Sequence, residues 1–567
     1  MLRLIWHDQL DSIAIEVDGQ RYEESPEPYL AWGRDITVLL SGTREVCQKF
    51  TFDGVNFWQF MPSYLFPLYY LSLRVDHIAR REGLTIPVRE FIAEAVRVGA
   101  FPCAMTSPWR DDVKFILKFF YFKITKWLTR KSGSRGDVCL VTIPRHFRRG
   151  QDIELGPLEQ GLRRQGWTPF YLETPYYGSL KKRFGFFDVL RHRQGRSQHG
   201  VFFEDYATLA HVVKGLWRRL QTPSPRPVTL AGLSPFLQES LNLLIAYAER
   251  SLLPYGARFF LDIAHHFLKQ HQLRHIILTY ETGPFARAVI LAALARSIPT
   301  LGLIHGFALF KPNYEYAVYG QNPYSTLGFT TPLLTGVYGR QQMAAFLEDS
   351  GYQAEHLRIV GNWKVFLPSA ETGHAPALRY PITYFDSFMK KQIVRQMQEA
   401  AGLLKIDRGD FYYRPHPSQD LQESIAIWVE HGFLAANVLP ASEYALNDVI
   451  IQTGICIHDF STTILEAATF GRQILYSTSS IIGNHLDLPE KNRFHATSDL
   501  VEKMRAIQSG QDDYRIDRGP YYEVLGAESV QRVLDLVAHQ VAGKLGDSTA
   551  SGTGHRRIQT PLPETAD

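Results

Sequence analysis

Short apolar runs alternate with amphipathic stretches along most of the chain. From Asp137 the runs VCLVTIP, TPFYLET, HIILTY and TLGLIHG read as strands. Between them lie the helical patterns LGPLEQGLRRQG, a long stretch over residues 237–270, and GPFARAVILAALARS. A second series starts near Leu357 with LRIVGN. It continues through the strands PITYFDS, DFYYRPHP, CIHDF and QILYST, with the helices KKQIVRQMQEAAGLL and STTILEAATFG between them. Short apolar strands alternating with amphipathic helices predict parallel sheets joined by crossover helices. Two such series in tandem predict an α/β chain of two Rossmann-like lobes facing a central cleft. The first lobe is expected over residues 136–356 and the second over 357–545. An N-terminal extension, 1–135, precedes them, and a Gly-, Ser-, Thr- and Pro-rich tail, 546–567, is expected to be disordered.

The extension is the least readable part. It holds the strand-like runs SIAIEV and ITVLLSG and the aromatic stretch FDGVNFWQFMPSYLFPLYYL. Residues 114–131, KFILKFFYFKITKWLTRK, interleave Phe115, Phe119, Phe122 and Trp127 with Lys114, Lys118, Lys123, Lys126, Arg130 and Lys131. That composition fits a helix lying in a membrane interface. It equally fits a helix packed on the first lobe with its lysine stems at the edge. The SGSRGD that follows reads as a linker.

Composition narrows the classes. A chain of 567 residues is too long for one core. With 45% hydrophobic and 21% charged residues it has the make-up of an ordinary folded protein. A net charge of +4 and the lack of any basic arm argue against a nucleic-acid partner. Cys47, Cys103, Cys139 and Cys456 form no CxxC pair, which favours neither zinc nor a disulfide framework and points to a reducing cytoplasm. The N-terminal MLRLIWHDQLDS is charged too early for a signal peptide. No apolar run approaches the ~20 residues of a membrane span. A cytoplasmic protein is expected, with peripheral contact at the inner membrane face through residues 114–131 as the open alternative.

In open parallel sheets ligands bind beyond the carboxyl ends of the strands, and there the polar residues collect. HIILTY runs into Glu281, TLGLI into His305-Gly306, and PITYF into Asp386-Ser387. FYY runs into Arg414-Pro415-His416-Pro417, and CIHDF into Ser461-Thr462-Thr463 followed by Glu466. Three successive hydroxyls at a helix start offer a phosphate site, where a plain N-cap would use only one. His416, stiffened between prolines, can donate to a phosphate oxygen, and Glu466 can reach a ribose diol. On the first lobe Glu281 and His305 are the candidates for a general base that takes the proton of an acceptor hydroxyl, with Glu281 ahead.

YRPHP followed by HDFSTTILEAATFG resembles the paired motifs of bacterial sialyltransferases, polysialyltransferases and capsule Kdo transferases of the GT-B class. The resemblance implies that Arg414, His416, Pro417 and the Ser461–Thr463 cluster hold the phosphate of a CMP-activated sugar. It also implies that no metal and no further cofactor is needed. TLGLIHG with LLTGVYGRQQMAAFLEDSGYQAEHLRIVGNWKV is similar to a broader set that includes CDP-glycerol polymerases of teichoic acid synthesis, in which such a His-Gly histidine is the base. Together these cover roughly residues 275–500. Glu281-Thr282-Gly283 departs from the two-acid catalytic motif of the sialyltransferases, so the sugar is not carried over. The implied function is inverting transfer of a nonulosonic acid or Kdo to a glycan acceptor, which can be lipid-linked. The alternatives are a CDP-glycerol glycerophosphotransferase, a UDP-sugar epimerase, or a non-catalytic assembly partner.

Overall fold

The computed structural model describes residues 2–7, 12–23, 51–52, 55–56, 62–97, 108–129, 136–142, 147–148, 151–152, 154–173, 186–194, 200–220, 227–229, 233–250, 252–279, 284–304, 331–349, 352–367, 378–386, 390–416, 419–459, 462–477 and 487–547. The run ITVLLSG, residues 132–135 of the linker and the tail beyond Asp547 lie outside them.

The N-terminal strands β1 (Leu2–His7), β2 (Ser12–Val17) and β3 (Gln20–Glu23) form an antiparallel sheet with Leu2 opposite Val17. The β2–β3 turn is Asp18-Gly19, both at positive φ, the two-residue turn that matches strand twist. A short pair follows, β4 (Thr51–Phe52) and β5 (Val55–Asn56). Then come α1 (Pro62–Glu82), α2 (Val88–Arg97) and α3 (Pro108–Thr129). Carboxylates of α2 accept from the edge of β1: Glu90 from the Leu2 N–H at 3.1 Å and Glu94 from the Leu4 N–H at 3.0 Å. Leu2, Leu4, Ile15, Leu71 and Phe91 share one core with Ile304, Val337 and Leu357 of the first lobe. The extension is therefore built into that lobe and does not stand apart from it.

The first lobe runs β6 (Val138–Thr142), β7 (Phe147–Arg148), β8 (Gln151–Asp152), α4 (Gly156–Arg164) and β9 (Pro169–Glu173). Next are α5 (Phe186–Gln194), β10 (Gly200–Phe202), α6 (Leu209–Leu220), α7 (Pro235–Arg250) and α8 (Leu252–Gln270). It closes with β11 (His275–Thr279), α9 (Pro284–Leu294), β12 (Thr300–Leu303), β13 (Leu334–Val337), α10 (Arg340–Asp349) and β14 (Leu357–Ile359). Its parallel sheet has seven strands in the order β10-β9-β6-β11-β12-β13-β14. Every residue of β6, β9, β11 and β12 is buried, as strands covered by helices on both faces require.

Two expectations are corrected here. LRIVGN was read as the opening of the second series, but β14 pairs in parallel with β13, so it is the last strand of the first sheet. The stretch 237–270 was read as one helical run and is two helices, α7 and α8. Pro254 in the first turn of α8 has no N–H for an unbroken ladder.

The second lobe has β15 (Tyr380–Phe385), α11 (Lys390–Leu404), β16 (Phe411–Arg414), α12 (Leu421–Glu430) and α13 (Leu446–Ile451). It continues with β17 (Thr453–His458), α14 (Thr463–Thr469), β18 (Gln473–Tyr476) and α15 (Thr497–Ser509). The four strands are parallel in the order β16-β15-β17-β18. Its core centres on Trp428, fully buried, whose ring stacks on Tyr413 at 5.2 Å and on Phe433 at 4.1 Å. The final helix α16 (Gly526–Asp547) returns to the first lobe, where Val530 and Leu534 pack against Gly161 of α4 and Gln540 meets His275 at 2.6 Å.

Helix α3 settles part of the question about residues 114–131. Phe119 and Phe122 are buried, Phe122 edge-on to Phe202 at 5.3 Å, and Lys123 donates to the Asp205 carbonyl at 2.8 Å. The inner face is thus a packed face of the first lobe. The outer face still shows Phe120, Ile124, Trp127 and Leu128, with Trp127 at 71% exposure. Among the described residues no helix is long and apolar enough to cross a membrane.

Candidate functional site

In the second sheet the chain goes from β15 outward to β16 and then to β17 on the other side of β15. That reversal is a topological switch point, and the crevice beyond the strand ends there is where a ligand is expected. β15 delivers Asp386, β16 delivers Arg414 and His416, and β17 delivers Asp459 and is followed by α14. Pairing Phe385 with His458 sets Asp386 and Asp459 at the same level of neighbouring strands.

One buried tyrosine, Tyr384, joins those carboxyls, and a second, Tyr413, holds Asp386. The Tyr413 hydroxyl donates to Asp386 Oδ2 at 2.6 Å. Tyr384 reaches Asp386 Oδ1 at 3.1 Å and Asp459 Oδ2 at 3.2 Å. Burial pushes the Asp386 carboxyl up to about 7, and the charge of Asp459 adds to the effect, against the hydrogen bonds that favour ionisation. The floor of the crevice thus holds a carboxyl that keeps its proton to higher pH than a free aspartate.

Around it, Arg414 is buried and donates through Nη1 to the carbonyls of Leu439 at 3.1 Å and Pro440 at 3.3 Å. Part of its guanidinium is spent holding that turn. His416 is exposed at the rim. Thr462 occupies the N-cap position of α14 without a side-chain cap hydrogen bond, so its hydroxyl is not used in the way plain capping would use it. Thr463 is tied instead to His458, Oγ1 to Nδ1 at 3.1 Å. His458 stacks on Phe385 at 4.9 Å, and burial pushes it down to about 3, so the ring is neutral and serves as a fixed strut. Glu466 lies one turn into α14. Its Oε2 is buried with no hydrogen-bond partner among the described residues. Burial pushes its carboxyl up to about 7, helped by the charge of Glu154 and opposed by Lys364.

The structure therefore brings Asp386, Arg414, His416, Thr462, Thr463 and Glu466 to one sheet edge. Ser387, Pro417 and Ser461 lie outside the described residues, as do both first-lobe base candidates, Glu281 and His305. Among the described residues no cluster of His, Cys, Asp or Glu is placed to hold a metal ion. Sequence reading missed Asp459, the two tyrosines, His458, Glu154 and Lys364. Asp459 was findable, since it follows β17 as Asp386 follows β15. Glu154 and Lys364, 210 positions apart, meet only through packing of the folded chain.

No protein-family model matches the chain. No curated protein matches it in sequence. Solved structures of similar overall shape include the UDP-GlcNAc 2-epimerase of Methanocaldococcus jannaschii in complex with UDP-GlcNAc and UDP. It has 11% identity and a TM-score of 0.41, over 71% of this chain and 99% of that one. The UDP-GlcNAc 2-epimerase of Neisseria meningitidis bound to UDP-GlcNAc has 12% identity and a TM-score of 0.40, over 71% and 99%. Acinetobacter baumannii MurG has 11% identity and a TM-score of 0.39, over 71% and 99%. Likenesses at this level carry no argument about substrate.

Proposed function

We propose that this chain is a nucleotide-sugar-dependent enzyme that holds the nucleotide on the second lobe and the acceptor on the first, and that it transfers a nonulosonic acid or Kdo from the CMP ester to a glycan acceptor. The observation that supports the nucleotide site is the buried Oε2 of Glu466, without a hydrogen-bond partner among the described residues. Glu466 lies on the helix with Thr462 at its N-cap position after β17, and β17 shares its sheet with the strands that lead to Asp386 and Arg414. A diol hydroxyl donating to that oxygen would meet a need the protein leaves unmet. His416 and the hydroxyls of Ser461 and Thr462 are assigned to the phosphate, whose charge the backbone N–H groups of the turn also offset. In the transfer, the acceptor hydroxyl attacks the anomeric carbon as Glu281 or His305 takes its proton. CMP departs with the electron pair of the broken bond. The anomeric configuration inverts and no metal is assigned a part.

UDP-sugar epimerisation is the second reading, since the departure of Glu281-Thr282-Gly283 from the two-acid motif leaves the sugar open. The similar solved structures supply UDP-GlcNAc as the donor to test first, without arguing for it. Acceptor-free assays with CMP-Kdo, CMP-sialic acid, CDP-glycerol and UDP-GlcNAc separate the readings. Slow release of CMP supports transfer from a CMP ester. Conversion of UDP-GlcNAc with neither CMP donor touched replaces that reading with the second.

A further inference from the structure

Strands β6 and β9 divide their side chains between two cores. Val138, Leu140 and Tyr171 face the core closed by α4 and α16, while Cys139, Val141, Phe170 and Leu172 face the other. Helices α3 and α6 both cover that second face. Phe119 of α3 and Val212 of α6 share its core with Phe259 and Phe267 of α8, and α8 packs on both helices. Helix α5 packs along α3, where Val189 joins Phe122 and Phe202 in a small core of their own. The outer sides of these helices therefore belong to one side of the first lobe.

That side is left apolar. On α3 the exposed Phe120, Ile124, Trp127 and Leu128 follow the spacing i, i+4, i+7 and i+8, so they form one stripe. On α6 the exposed Leu209, Val213 and Trp217 form a second stripe at i, i+4 and i+8. Phe187 of α5 is 73% exposed, and Trp217 is 60% exposed. Large apolar side chains scattered singly over a surface need no explanation, but stripes gathered on adjoining helices mark an interaction face.

Charge decides what kind of partner fits. Residues 114–131 hold six Lys and Arg, residues 209–220 hold three more, and neither segment holds an Asp or Glu. The whole chain has a net charge of only +4, so everything outside these two segments is net acidic. Asp262 of α8 meets two of the cations, Arg218 at 3.0 Å and Lys214 at 3.7 Å, and one carboxylate cannot neutralise both. Lys214 keeps 46% of its side chain in solvent. Apolar stripes on basic, acid-free helices suit an anionic lipid surface, where the rings enter the headgroup boundary and the cations meet phosphates. A second copy of the chain fits worse, because a two-fold contact would set the same cations against each other.

We propose that the outer stripes of α3 and α6 form one docking face by which the first lobe lies on an anionic membrane surface. Attachment is peripheral, since among the described residues no helix is long and apolar enough to cross a membrane. The inference does not depend on which nucleotide the second lobe takes. What sets it apart from a single amphipathic anchor is the part given to α6.

The test is co-sedimentation of the full chain with vesicles of equal parts phosphatidylcholine and phosphatidylglycerol, and with vesicles of phosphatidylcholine alone. Wild type should bind the anionic vesicles and release them in high salt, each surface Lys or Arg multiplying affinity by about fivefold at low salt. The triple variant Leu209→Ser, Val213→Ser, Trp217→Ser should partition about tenfold more weakly or worse at an unchanged melting temperature, because its apolar stripe no longer leaves water. Trp217→Phe guards against a folding defect in the triple variant. It should still bind, yet show less of the fluorescence quenching that brominated lipids produce in wild type. Full binding by a folded triple variant, or quenching unchanged without Trp217, overturns the docking face. Binding to neutral vesicles as strong as to anionic ones, or to neither, overturns it as well. In that last case a wild-type dimer that the triple variant converts to monomer would make the stripes an interface between copies.

Discussion

Asp386→Asn should make the protein relatively more stable at alkaline pH and relatively less stable at acid pH. Asp386 is 3% exposed, and its carboxyl is raised from 3.8 to about 7, first by burial and then by the charge of Asp459. For an acid raised in the folded state, the stabilising contribution is complete below the unfolded value. It is lost as pH rises through the folded value, because the native protein there binds the extra proton. Three units at about 1.36 kcal/mol each give roughly 4 kcal/mol as the upper figure for the penalty of ionising Asp386 above pH 7. Asparagine mimics the neutral acid and avoids that penalty. It accepts through only one atom, so either the Tyr413 or the Tyr384 hydroxyl must turn, at about 1 kcal/mol. Near pH 3, below the unfolded value, the variant should therefore be less stable by about 1 kcal/mol, and near pH 8 it should exceed wild type. Calorimetric melting of both proteins across that range measures the crossover. A difference that does not vary with pH would mean that Asp386 is ionised throughout and that the tyrosines serve as ordinary donors to a carboxylate.

Other substitutions test separate parts of the chain. Trp428→Ala removes a fully buried ring stacked between Tyr413 and Phe433 and should cost about 3–5 kcal/mol, read as a large fall in melting temperature. A fall of a degree or less would place Trp428 outside the core. Glu281→Gln should leave nucleotide affinity intact and lower turnover by roughly two to four orders of magnitude. A much larger loss in His305→Ala would exchange the two roles. The outer stripe of α3 should bind anionic vesicles in a salt-sensitive way, and replacing Phe120, Ile124, Trp127 and Leu128 by serine should abolish co-sedimentation. Binding that survives the change, or equal binding to neutral vesicles, would remove the membrane role.

The second lobe was legible because its signals are local. β15, β16, β17 and β18 each carry an apolar run ended by a polar residue, and their ends alone locate Asp386, Arg414, His416 and Thr462. β14 was misplaced because three residues before a Gly-Asn turn fix a strand but say nothing about which sheet it joins. In α3 aromatics occupy both faces, so periodicity cannot separate the buried Phe119 and Phe122 from the exposed Phe120 and Trp127. The Tyr384–Asp386–Tyr413 contacts were hidden for another reason. A tyrosine in an apolar strand looks like core, and only the folded register shows which hydroxyl reaches a carboxyl.

The nucleotide site is tested most directly by calorimetric titration of CMP and UDP into wild type, His416→Ala and Glu466→Gln. CMP should bind wild type and raise its melting temperature, with about 2.7 kcal/mol of added stability when the ligand is at 100 times its Kd. Both substitutions should weaken CMP by about tenfold or more, as loss of a charge-assisted hydrogen bond implies. Binding of UDP without CMP would keep the site and change the donor. Binding of either nucleotide with unchanged affinity in both variants would contradict the placement of the nucleotide at this sheet edge.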